Sequence, residues 1–393
     1  MKSVVRFLSA AILVLIAASC TDNGGSIYYS IQKVQKVATS VLPTDLTVAD
    51  IVNTGNASAP YFIAAGGVFK GPPPASDGSI AWQRVNPPSG MLCNSLAWDG
   101  TNLWGGFFST NGSSTGLYYA LPASPNSWTQ DPLAPPGQVT YLTSTAPGDL
   151  FAVIATMSGS NFVYSLWEKK GAGWTQLIPS IPSPITGVGL FSSSNTYFVT
   201  TGNTVYWNSV GADPPTFDKS STSLLDATNQ VGDTLNGIFV DNNAGHTMVI
   251  VLAKSGIYYS ASGSTLGNGV GWTRATNSSN GNNIGFLCAA GPIDNYANGS
   301  VYLLGTDSNQ YGAAGFYFFN LTASSFNGGT GGLTRYVNPS ISLYIDAIRR
   351  ILVDANNNPS GTVNNNVFFG TVNAGLWRTS VDSLGNPQSW VQE

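Results

Sequence analysis

The sequence predicts an all-β fold from three observations. Charged residues make up only 9% of the 393 residues, against about a quarter in an average protein. Glycine supplies 45 positions, whereas glutamate occurs only at Glu168 and Glu393. Aromatic residues are abundant, with 10 Trp, 17 Tyr and 18 Phe, and they supply material for a large core. This composition argues against a disordered chain, which lacks aromatic residues, and against coiled coils and helical bundles, which draw on Glu, Lys, Ala and Leu.

The first element along the chain is a predicted export signal. Residues 1–19 combine two basic residues with an apolar run over 7–18 and end in small residues, as a secretory signal peptide does. The apolar run is too short to span a bilayer of about 30 Å, which needs about 20 residues. The motif Ala17-Ala18-Ser19-Cys20 resembles the lipobox of bacterial lipoproteins. That resemblance implies that Cys20 is lipidated and becomes the mature N-terminus; a plain secretory signal with an incidental cysteine is the alternative.

A polar, glycine-rich tether over 20–26 follows, and then an N-terminal strand or linker over 27–48. In Gram-negative lipoproteins, a residue such as Thr21 after the lipidated cysteine, rather than Asp, directs the protein to the outer membrane. The resemblance therefore implies a protein of the bacterial cell envelope, lipid-anchored at the outer membrane or cell surface. The lipid is its only expected contact with the membrane.

Charge and cysteine content restrict the partners further. The formal net charge is −4, and the loss of residues 1–19 removes two positive charges, which leaves −6. The chain has no basic stripe, so nucleic acid is not an expected partner. Besides Cys20, only Cys93 and Cys288 occur, and their separation allows a disulfide without implying one.

From residue 49 to residue 393 the chain repeats one phrase seven times. Each unit offers short runs rich in Val, Ile, Phe, Tyr and Trp between Gly, Asn, Ser and Pro turns, and such runs are strand signals. Each unit closes on an apolar anchor, and successive anchors are 43 to 61 residues apart, near the roughly 40–50 residues of a propeller blade. The anchors are Trp82, Trp128, Trp174, Phe217, Trp272, Leu333 and Trp390.

A four-stranded antiparallel sheet has two faces to bury and cannot bury both alone. Radial packing of such sheets hides both faces, and the anchors then fill the wedges between neighbouring blades. The sequence therefore predicts a seven-bladed β-propeller over 49–393; six or eight blades stay open, because the first and last units are the least regular. The segment 27–37 is typical of a strand that either adds to the terminal blade beside 389–393 or lies outside as a tether.

The closing hairpins carry a resemblance to a known family. Ser380-Val381-Asp382, then Gly385 and Trp390, resemble the Asp-box of BNR propellers, which occur in sialidases and in many non-enzymatic surface proteins. The motif is degenerate in every unit. The Asp-box is a structural hairpin element in that family, so the resemblance implies a propeller fold and says little about activity.

Catalytic residues of the sialidase type are not predicted. Arg84, Arg274 and Arg335 each follow an anchor by two residues, which places them on outer strands, far from a central pocket. Glu168 and the two lysines after it are expected to form a solvated charge cluster in a hairpin, and no Tyr–Glu pair is expected. A single histidine, His246, argues against serine or cysteine nucleophiles and against zinc. The sequence thus predicts no catalytic, cofactor-binding or metal-binding residue.

One charged cluster remains, in the predicted innermost strand of the last unit: Asp346, Arg349, Arg350 and Asp354. Inner strands line a propeller channel, where charge is costly unless it is paired or hydrated. The cluster is interpreted either as a polar patch at the channel mouth that contacts a ligand or as an internal ion pair, and the ion pair is favoured.

Taken together, these features predict a non-enzymatic, lipid-anchored, monomeric propeller that binds protein or glycan partners at the cell envelope without a cofactor. Low charge with many Asn, Ser, Thr, Tyr and Trp residues suits polar and stacking contacts. Two alternatives stay open. One is a sialidase-like or other glycan-active enzyme, and the other is a scaffold lipoprotein for envelope assembly.

Overall fold

The structure, a computed structural model, describes the chain in segments. The described residues are 42, 45–75, 79–110, 115–145, 147–191, 196–209, 218–219, 233–242, 248–260, 272–277, 284–293, 295–296, 299–307, 314–322, 332–336, 346–354, 365–381 and 387–393. All of them belong to one unit of the chain, Leu42–Glu393. Every regular element in these segments is a β-strand. They contain no helix with the length and apolar character that crossing a membrane requires.

The strands form seven antiparallel sheets, and each sheet, or blade, is one continuous stretch of chain. Blade 1 contains β1 (Asp50–Asn53), β2 (Tyr61–Ala64), β3 (Val68–Gly71) and β4 (Gln83–Val85). Blade 2 contains β5 (Met91–Trp98), β6 (Leu103–Ser109), β7 (Thr115–Ala120) and β8 (Thr129–Gln130). Blade 3 contains β9 (Gln138–Thr143), β10 (Asp149–Ser158), β11 (Asn161–Lys170) and β12 (Gly173–Ile181). Blade 4 contains β13 (Ile185–Phe191), β14 (Thr196–Thr201), β15 (Thr204–Ser209) and β16 (Asp218–Lys219).

The remaining blades follow the same order. Blade 5 contains β17 (Leu235–Asp241), β18 (Met248–Ala253), β19 (Gly256–Ser260) and β20 (Thr273–Arg274), followed by β21 (Thr276–Asn277). Blade 6 contains β22 (Phe286–Ala290), β23 (Asn295–Tyr296), β24 (Gly299–Thr306), β25 (Phe316–Thr322) and β26 (Gly332–Arg335). Blade 7 contains β27 (Ile348–Asp354), β28 (Asn365–Thr371), β29 (Leu376–Val381) and β30 (Pro387–Gln392). Blade 6 exceeds the predicted four strands, because β21 adds in parallel to β26 and β23 pairs with β24.

The seven sheets close into a ring. The first strand of each blade contacts the first strand of the next, and β27 of blade 7 contacts β1 of blade 1. The first strands therefore surround a central channel, and the last strands form the rim. The prediction of a seven-bladed β-propeller is confirmed.

The core lies between the blades. Seven hydrophobic clusters are formed by the described residues, and each combines side chains of two neighbouring blades. At the closing interface, Tyr61 and Trp82 of blade 1 pack with Phe368 and Leu376 of blade 7. Second strands such as β14 and β18 are buried along their whole length. Each blade thus buries its faces against its neighbours, as the repeat predicts.

Six of the seven predicted anchors lie within the described segments, and Phe217 lies outside them. Each of the six stands in the fourth strand of its blade or immediately before it. Trp82 is only 2% exposed, and Trp128 packs edge-on against Phe107 with ring centroids 4.8 Å apart. The anchors therefore fill the wedges between blades, which is the role that their spacing predicts.

The ends of the ring are joined without exchange of a strand among the described residues. The backbone N–H of Val48 donates to the carbonyl of Thr371 over 2.9 Å, and the Thr47 hydroxyl donates to the carbonyl of Val372 over 2.5 Å. Thr47 and Val48, which precede β1, thus lie against blade 7. The predicted strand over 27–37 lies outside the described residues.

Candidate functional site

The channel wall carries a repeated irregularity. The first strands of blades 2 to 7 each contain a β-bulge at an equivalent place, at Asn94, Thr140, Thr186, Asn236, Leu287 and Arg349. A bulge leaves one residue unpaired and re-aims its side chain, and bulges are frequent at barrel rims and next to active sites. The Asn94 amide donates to the Val139 carbonyl of the next blade over 2.7 Å. The Asn236 amide likewise donates to the Phe286 carbonyl over 2.9 Å, so the bulge asparagines tie neighbouring blades together at this level of the channel.

The residues immediately after the bulges form a ring at that level. They are Ser95, Tyr141, Gly187, Gly237, Cys288 and Arg350, and Asp50 of blade 1 completes the ring because Ser95 and Arg350 both bind it. Their spacings of 45, 46, 46, 50, 51 and 62 residues follow the repeat. The sequence analysis missed Asp50, Ser95 and Tyr141, although this spacing was a signal that could have found them.

An ion pair joins two neighbouring members of this ring, at the interface between blade 7 and blade 1. Nε of Arg350 in blade 7 donates to Oδ1 of Asp50 in blade 1 over 3.1 Å. Oδ2 of Asp50 accepts hydrogen bonds from the Ser95 hydroxyl at 3.2 Å and from the Leu96 backbone at 3.1 Å. The Ser95 hydroxyl in turn accepts one from the Leu142 backbone at 2.8 Å. One polar network therefore links blades 7, 1, 2 and 3, and it gives the buried carboxylate the partners that a buried charge requires.

Arg350 also lies over the ring of Tyr141, with its guanidinium carbon 5.8 Å from the ring centroid, which is within cation–π range. Burial opposes the charge of Arg350, but the nearby Asp50 carboxylate keeps the pKa of Arg350 above its ordinary value. Burial raises the pKa of Tyr141, so its hydroxyl stays protonated. The neighbouring Arg349 is exposed at its bulge, and partial burial together with the charge of Arg350 lowers its pKa.

A cavity of about 320 Å³ occupies this part of the channel. It is called the channel cavity here, and its wall consists of residues from the first strands of blades 3 to 7 together with the turn after β9, the start of the turn after β17 and Leu252 of β18. Aliphatic side chains of β13 and β17 form one side, while Tyr141, Thr145, Asn242 and Arg350 contribute polar groups. The hydroxyl of Thr145 is buried and has no hydrogen-bond partner among the described residues. The volume lies at the lower end of the range for small-ligand sites, about 300–1,000 Å³.

The four residues of the predicted channel-mouth cluster do not form one cluster. They are Asp346, Arg349, Arg350 and Asp354. Arg350 lines the channel cavity, and Arg349 is exposed beside it. The two aspartates are buried at opposite ends of β27. The ion pair of Arg350 uses Asp50, which lies 300 positions away in the sequence, and neither of the aspartates near it in sequence.

Each aspartate has structural partners of its own instead. Asp346 precedes β27 and accepts hydrogen bonds from the backbone N–H of Asn373 at 2.7 Å and from its side-chain amide at 3.1 Å, which closes the turn between β28 and β29. Asp354 ends β27 and accepts hydrogen bonds from the Tyr61 hydroxyl and from the Asn53 amide, both in blade 1. These contacts hold a turn and the closing interface, respectively.

Glu168 corrects one expectation of the sequence analysis. It is only 4% exposed. It accepts a hydrogen bond from the Tyr197 hydroxyl at 3.0 Å and forms an ion pair with Lys170 at 3.1 Å. The predicted solvated cluster is therefore wrong, and a Tyr–Glu pair does form. The reason is that β11 continues through this segment and turns Glu168 towards blade 4. Burial and the Glu168 charge raise the pKa of Tyr197 to about 12. Neither residue lines the channel cavity.

Lys169 points the other way, towards blade 2. Its ammonium lies 3.0 Å from Asp131 and 5.4 Å from the ring centroids of both Trp104 and Trp174. The Trp174 indole also donates to Asp131 over 3.0 Å. Burial opposes ionisation of Asp131, but these hydrogen bonds and the lysine charge lower its pKa. The contacts between Lys169, Trp174 and Asp131 thus connect blade 3 to blade 2.

Three further arginines lie at the rim. Arg84, Arg274 and Arg335 occupy the fourth strands β4, β20 and β26. Arg274 donates to the Ser255 carbonyl over 2.6 Å and Arg335 donates to the Ala314 carbonyl over 3.0 Å. These contacts brace the turn or linker just before the third strand of their blades. None of the three lines the channel cavity.

The two described cysteines are both buried and both free. Burial raises the pKa of Cys93, and it raises the pKa of Cys288 to about 12. Cys288 lines the channel cavity, whereas Cys93 does not. Cys20 and His246 lie outside the described residues. Within the described segments, no three His, Cys, Asp or Glu side chains come together as metal ligands.

No protein-family model matches the chain, and no curated protein matches it. Among solved structures, it is similar to the extracellular domain assigned to a hybrid two-component system of B. thetaiotaomicron, with a TM-score of 0.56 and 15% identity over 84% of this chain and 38% of that one. It is also similar to the GH74 xyloglucanase of Xanthomonas campestris, with a TM-score of 0.59 and 10% identity over 90% of this chain and 55% of that one. A protein of Lactobacillus plantarum matches with a TM-score of 0.54 and 12% identity, over 82% of this chain and 90% of that one. The chain thus spans about two fifths and about half of the lengths of the first two. At these identities the likenesses show a shared β-propeller fold.

Proposed function

We propose that this chain is a non-enzymatic, lipid-anchored β-propeller that binds a protein or glycan partner at the bacterial cell envelope, through the channel cavity. The observation that carries the proposal is a preformed cavity, walled mainly by the inner strands of five blades, with one charged side chain held in place by an ion pair. Concave sites with apolar walls and a few oriented polar groups are the usual form of binding sites.

The contacts of Asp50 support binding rather than glycan hydrolysis. Glycosidases usually need two carboxyl groups facing each other across the bond to be cleaved, about 5–10 Å apart. Asp50 uses both of its oxygens for Arg350, Ser95 and the backbone of the ring. The Tyr197–Glu168 pair lies at a blade interface and outside the cavity wall.

The envelope location rests on the N-terminal sequence. The signal-like segment ends at Cys20, which the lipobox resemblance implies is acylated. A likeness to the extracellular domain from B. thetaiotaomicron agrees with export, although that likeness concerns the fold. In this proposal the lipid holds the propeller at the outer membrane or cell surface, and the monomer presents its channel to the partner.

A capture experiment tests the binding site. The purified full chain is immobilised and exposed to envelope extracts and to a glycan array, in parallel with two variants. Thr143→Trp inserts an indole at the cavity wall, and Leu133→Trp is a matched change at a residue that is 61% exposed. We expect the Thr143 variant to lose the partner and the Leu133 variant to keep it. Equal capture by both would show that the cavity is not the site.

Incubation with polymeric and sialylated glycans tests the non-enzymatic part. We expect no release of reducing ends or sialic acid above a blank without protein. Reproducible turnover by the wild-type chain would contradict the proposal and would favour the alternative of a glycan-active enzyme.

Metabolic labelling with a palmitate analogue tests the anchor. We expect label on the wild-type chain and none on Cys20→Ala, because the lipid of a lipoprotein is attached through the sulfur of that cysteine. Equal labelling of both chains would refute the lipid anchor and leave a plain secretory signal.

A further inference from the structure

The wall of the channel cavity exposes peptide backbone. Each strand of this wall is the innermost strand of its sheet and forms the sheet edge next to the channel; the strands are β9, β13, β17, β22 and β27. An edge strand presents a row of N–H and C=O groups that have no partner strand. Side chains of neighbouring blades cap some of these groups; for example, the Asn242 amide donates to the Leu190 carbonyl over 2.8 Å. Backbone groups of such an edge can pair with an extended chain that lies along it.

The cavity follows the channel along β17. Gly237 through Val240 and then Asn242 line it along β17, and five residue steps in a strand span about 16 Å at 3.3 Å per residue. Asn242 at one end is exposed, so the cavity opens there. Gly237 and Arg350 follow equivalent bulges and therefore stand at the other end. A ligand of matching length enters at Asn242 and reaches the guanidinium with its tip.

Arg350 has hydrogen-bonding capacity left for such a tip. Its Nε donates to Asp50 and one terminal nitrogen donates to the Arg349 carbonyl over 3.1 Å. Its other terminal nitrogen has no partner among the described residues. A guanidinium carries five N–H donors in a fixed fork, which suits a carboxylate.

We propose that the channel cavity binds the C-terminal end of an extended peptide from a partner protein, with the terminal carboxylate on Arg350. This inference rests on the proposed binding function and narrows it to one ligand class. About three to four residues in extended form fit the length of the slot. The channel-side edges of β13 and β17 bind the peptide backbone, and the aliphatic wall accepts small side chains.

The geometry favours a peptide over a sugar chain. The cavity's polar aromatic residue, Tyr141, has one face covered by the guanidinium of Arg350 at 5.8 Å, so that face is closed to stacking with a sugar ring. The side of the slot formed by β13 and β17 carries Val188, Leu190 and Ile238, which suit methyl groups better than hydroxyl groups.

A comparison of two small probes tests the proposal without any variant. One probe is an N-acetylated alanine tripeptide with a free C-terminal carboxylate, and the other is the same tripeptide ending in an amide. Titration of the purified full chain is expected to show at least tenfold tighter binding of the acid, because a charge-assisted hydrogen bond replaces a neutral one. Maltotriose serves as the glycan probe under the same conditions.

Two variants assign the effect to one residue. Arg350→Gln is expected to remove the preference for the acid, whereas Arg349→Gln, which removes the same charge from a neighbouring residue outside the cavity wall, is expected to keep it. Since Arg350→Gln leaves Asp50 without its ion pair and can impair folding, Arg350→Lys is measured as well. Lysine keeps the positive charge but lacks the planar set of N–H donors of the guanidinium. We therefore expect this variant to retain part of the preference for the acid over the amide.

Alkylation of Cys288 locates the bound probe. Cys288 lines the cavity, whereas Cys93, which is also buried, lies in β5 outside the cavity wall and is the internal control. At a peptide concentration ten times the dissociation constant, alkylation of Cys288 is expected to slow about tenfold, and that of Cys93 is expected to stay constant.

Each other outcome overturns the inference. Equal binding of acid and amide, binding of maltotriose without the peptides, or no binding of any probe at about 10 mM contradicts a C-terminal peptide site, since a 1 mM complex already corresponds to about 4 kcal/mol. Loss of the acid preference in Arg349→Gln as well contradicts the role of Arg350. The envelope capture experiment decides the proposed function separately, because it does not depend on the class of the partner.

Discussion

Removal of the Glu393 side chain tests how the ring is held closed. Oε1 of Glu393 accepts a hydrogen bond from Nε of Arg378 at 2.7 Å, and Oε2 accepts one from the Trp82 indole at 3.1 Å. The side chains of Arg378 and Glu393 are only 7% and 3% exposed. Trp82 belongs to blade 1 and the other two belong to blade 7, so one carboxylate joins the two ends of the ring.

The expected cost follows from this burial. Glu393→Ala removes one member of a buried ion pair, and such a loss costs about 3–5 kcal/mol. The double variant Glu393→Ala/Arg378→Met removes both charges of the pair and replaces the guanidinium with an apolar chain. Only the unpaired Trp82 indole then remains, at about 1–3 kcal/mol. The double variant should therefore be more stable than the single variant.

Equilibrium unfolding in urea, followed by tryptophan fluorescence, measures these differences. Arg349→Met is the control, because it removes an exposed arginine that has no ion pair among the described residues, and we expect a change within about 0.5 kcal/mol. The reasoning fails if Glu393→Ala costs less than about 1 kcal/mol, or if the double variant is no more stable than the single one.

Two further predictions concern a glycine and a tyrosine. Gly370→Ala places a methyl group 2.6 Å from a side-chain carbon of Val48, while Gly332→Ala meets nothing within 4 Å; we expect a loss of about 1–3 kcal/mol in urea unfolding for the first and little change for the second, and equal stabilities would contradict the packing. The pKa of Tyr197 rises to about 12 in the folded state, against about 10 in an unfolded chain, so the folded state holds this proton longer. The stabilisation that comes from this shifted pKa is therefore complete below pH 10 and is lost as the pH rises to about 12. Tyr197→Phe should flatten the fall in the free energy of unfolding between those pH values, and an unchanged slope would contradict this prediction.

The blade architecture could be read from the sequence because its signals are local. Short aromatic and β-branched runs between glycine turns predict strands; the phrase at Gly256–Tyr259, for example, lies within β19. The regular anchors, such as Trp82 and Trp174, predict how often the pattern repeats. A sheet with two apolar faces must then pack on both sides, and a ring of seven does so.

The channel site could not be read in the same way. Asp50 and Arg350 are 300 positions apart, and nothing near either residue indicates the other. Glu168 is a second example. Its two neighbouring lysines suggest a solvated turn, but its hydrogen-bond partner Tyr197 comes from the next blade. Charges were predicted to pair with near neighbours in sequence, whereas the packed blades bring distant ones closer.

The sequence by itself determined the class of fold and the places of the anchors, and it favoured seven blades over six or eight, because hydrophobic periodicity and turn residues act over a few positions at a time. Only the tertiary structure decided which inner-strand residues meet. The bulges of six first strands and the closure of blade 7 on blade 1 bring Asp50, Ser95, Tyr141 and Arg350 to one level of the channel. Contacts of that kind depend on the curvature of the whole ring, which no short segment encodes.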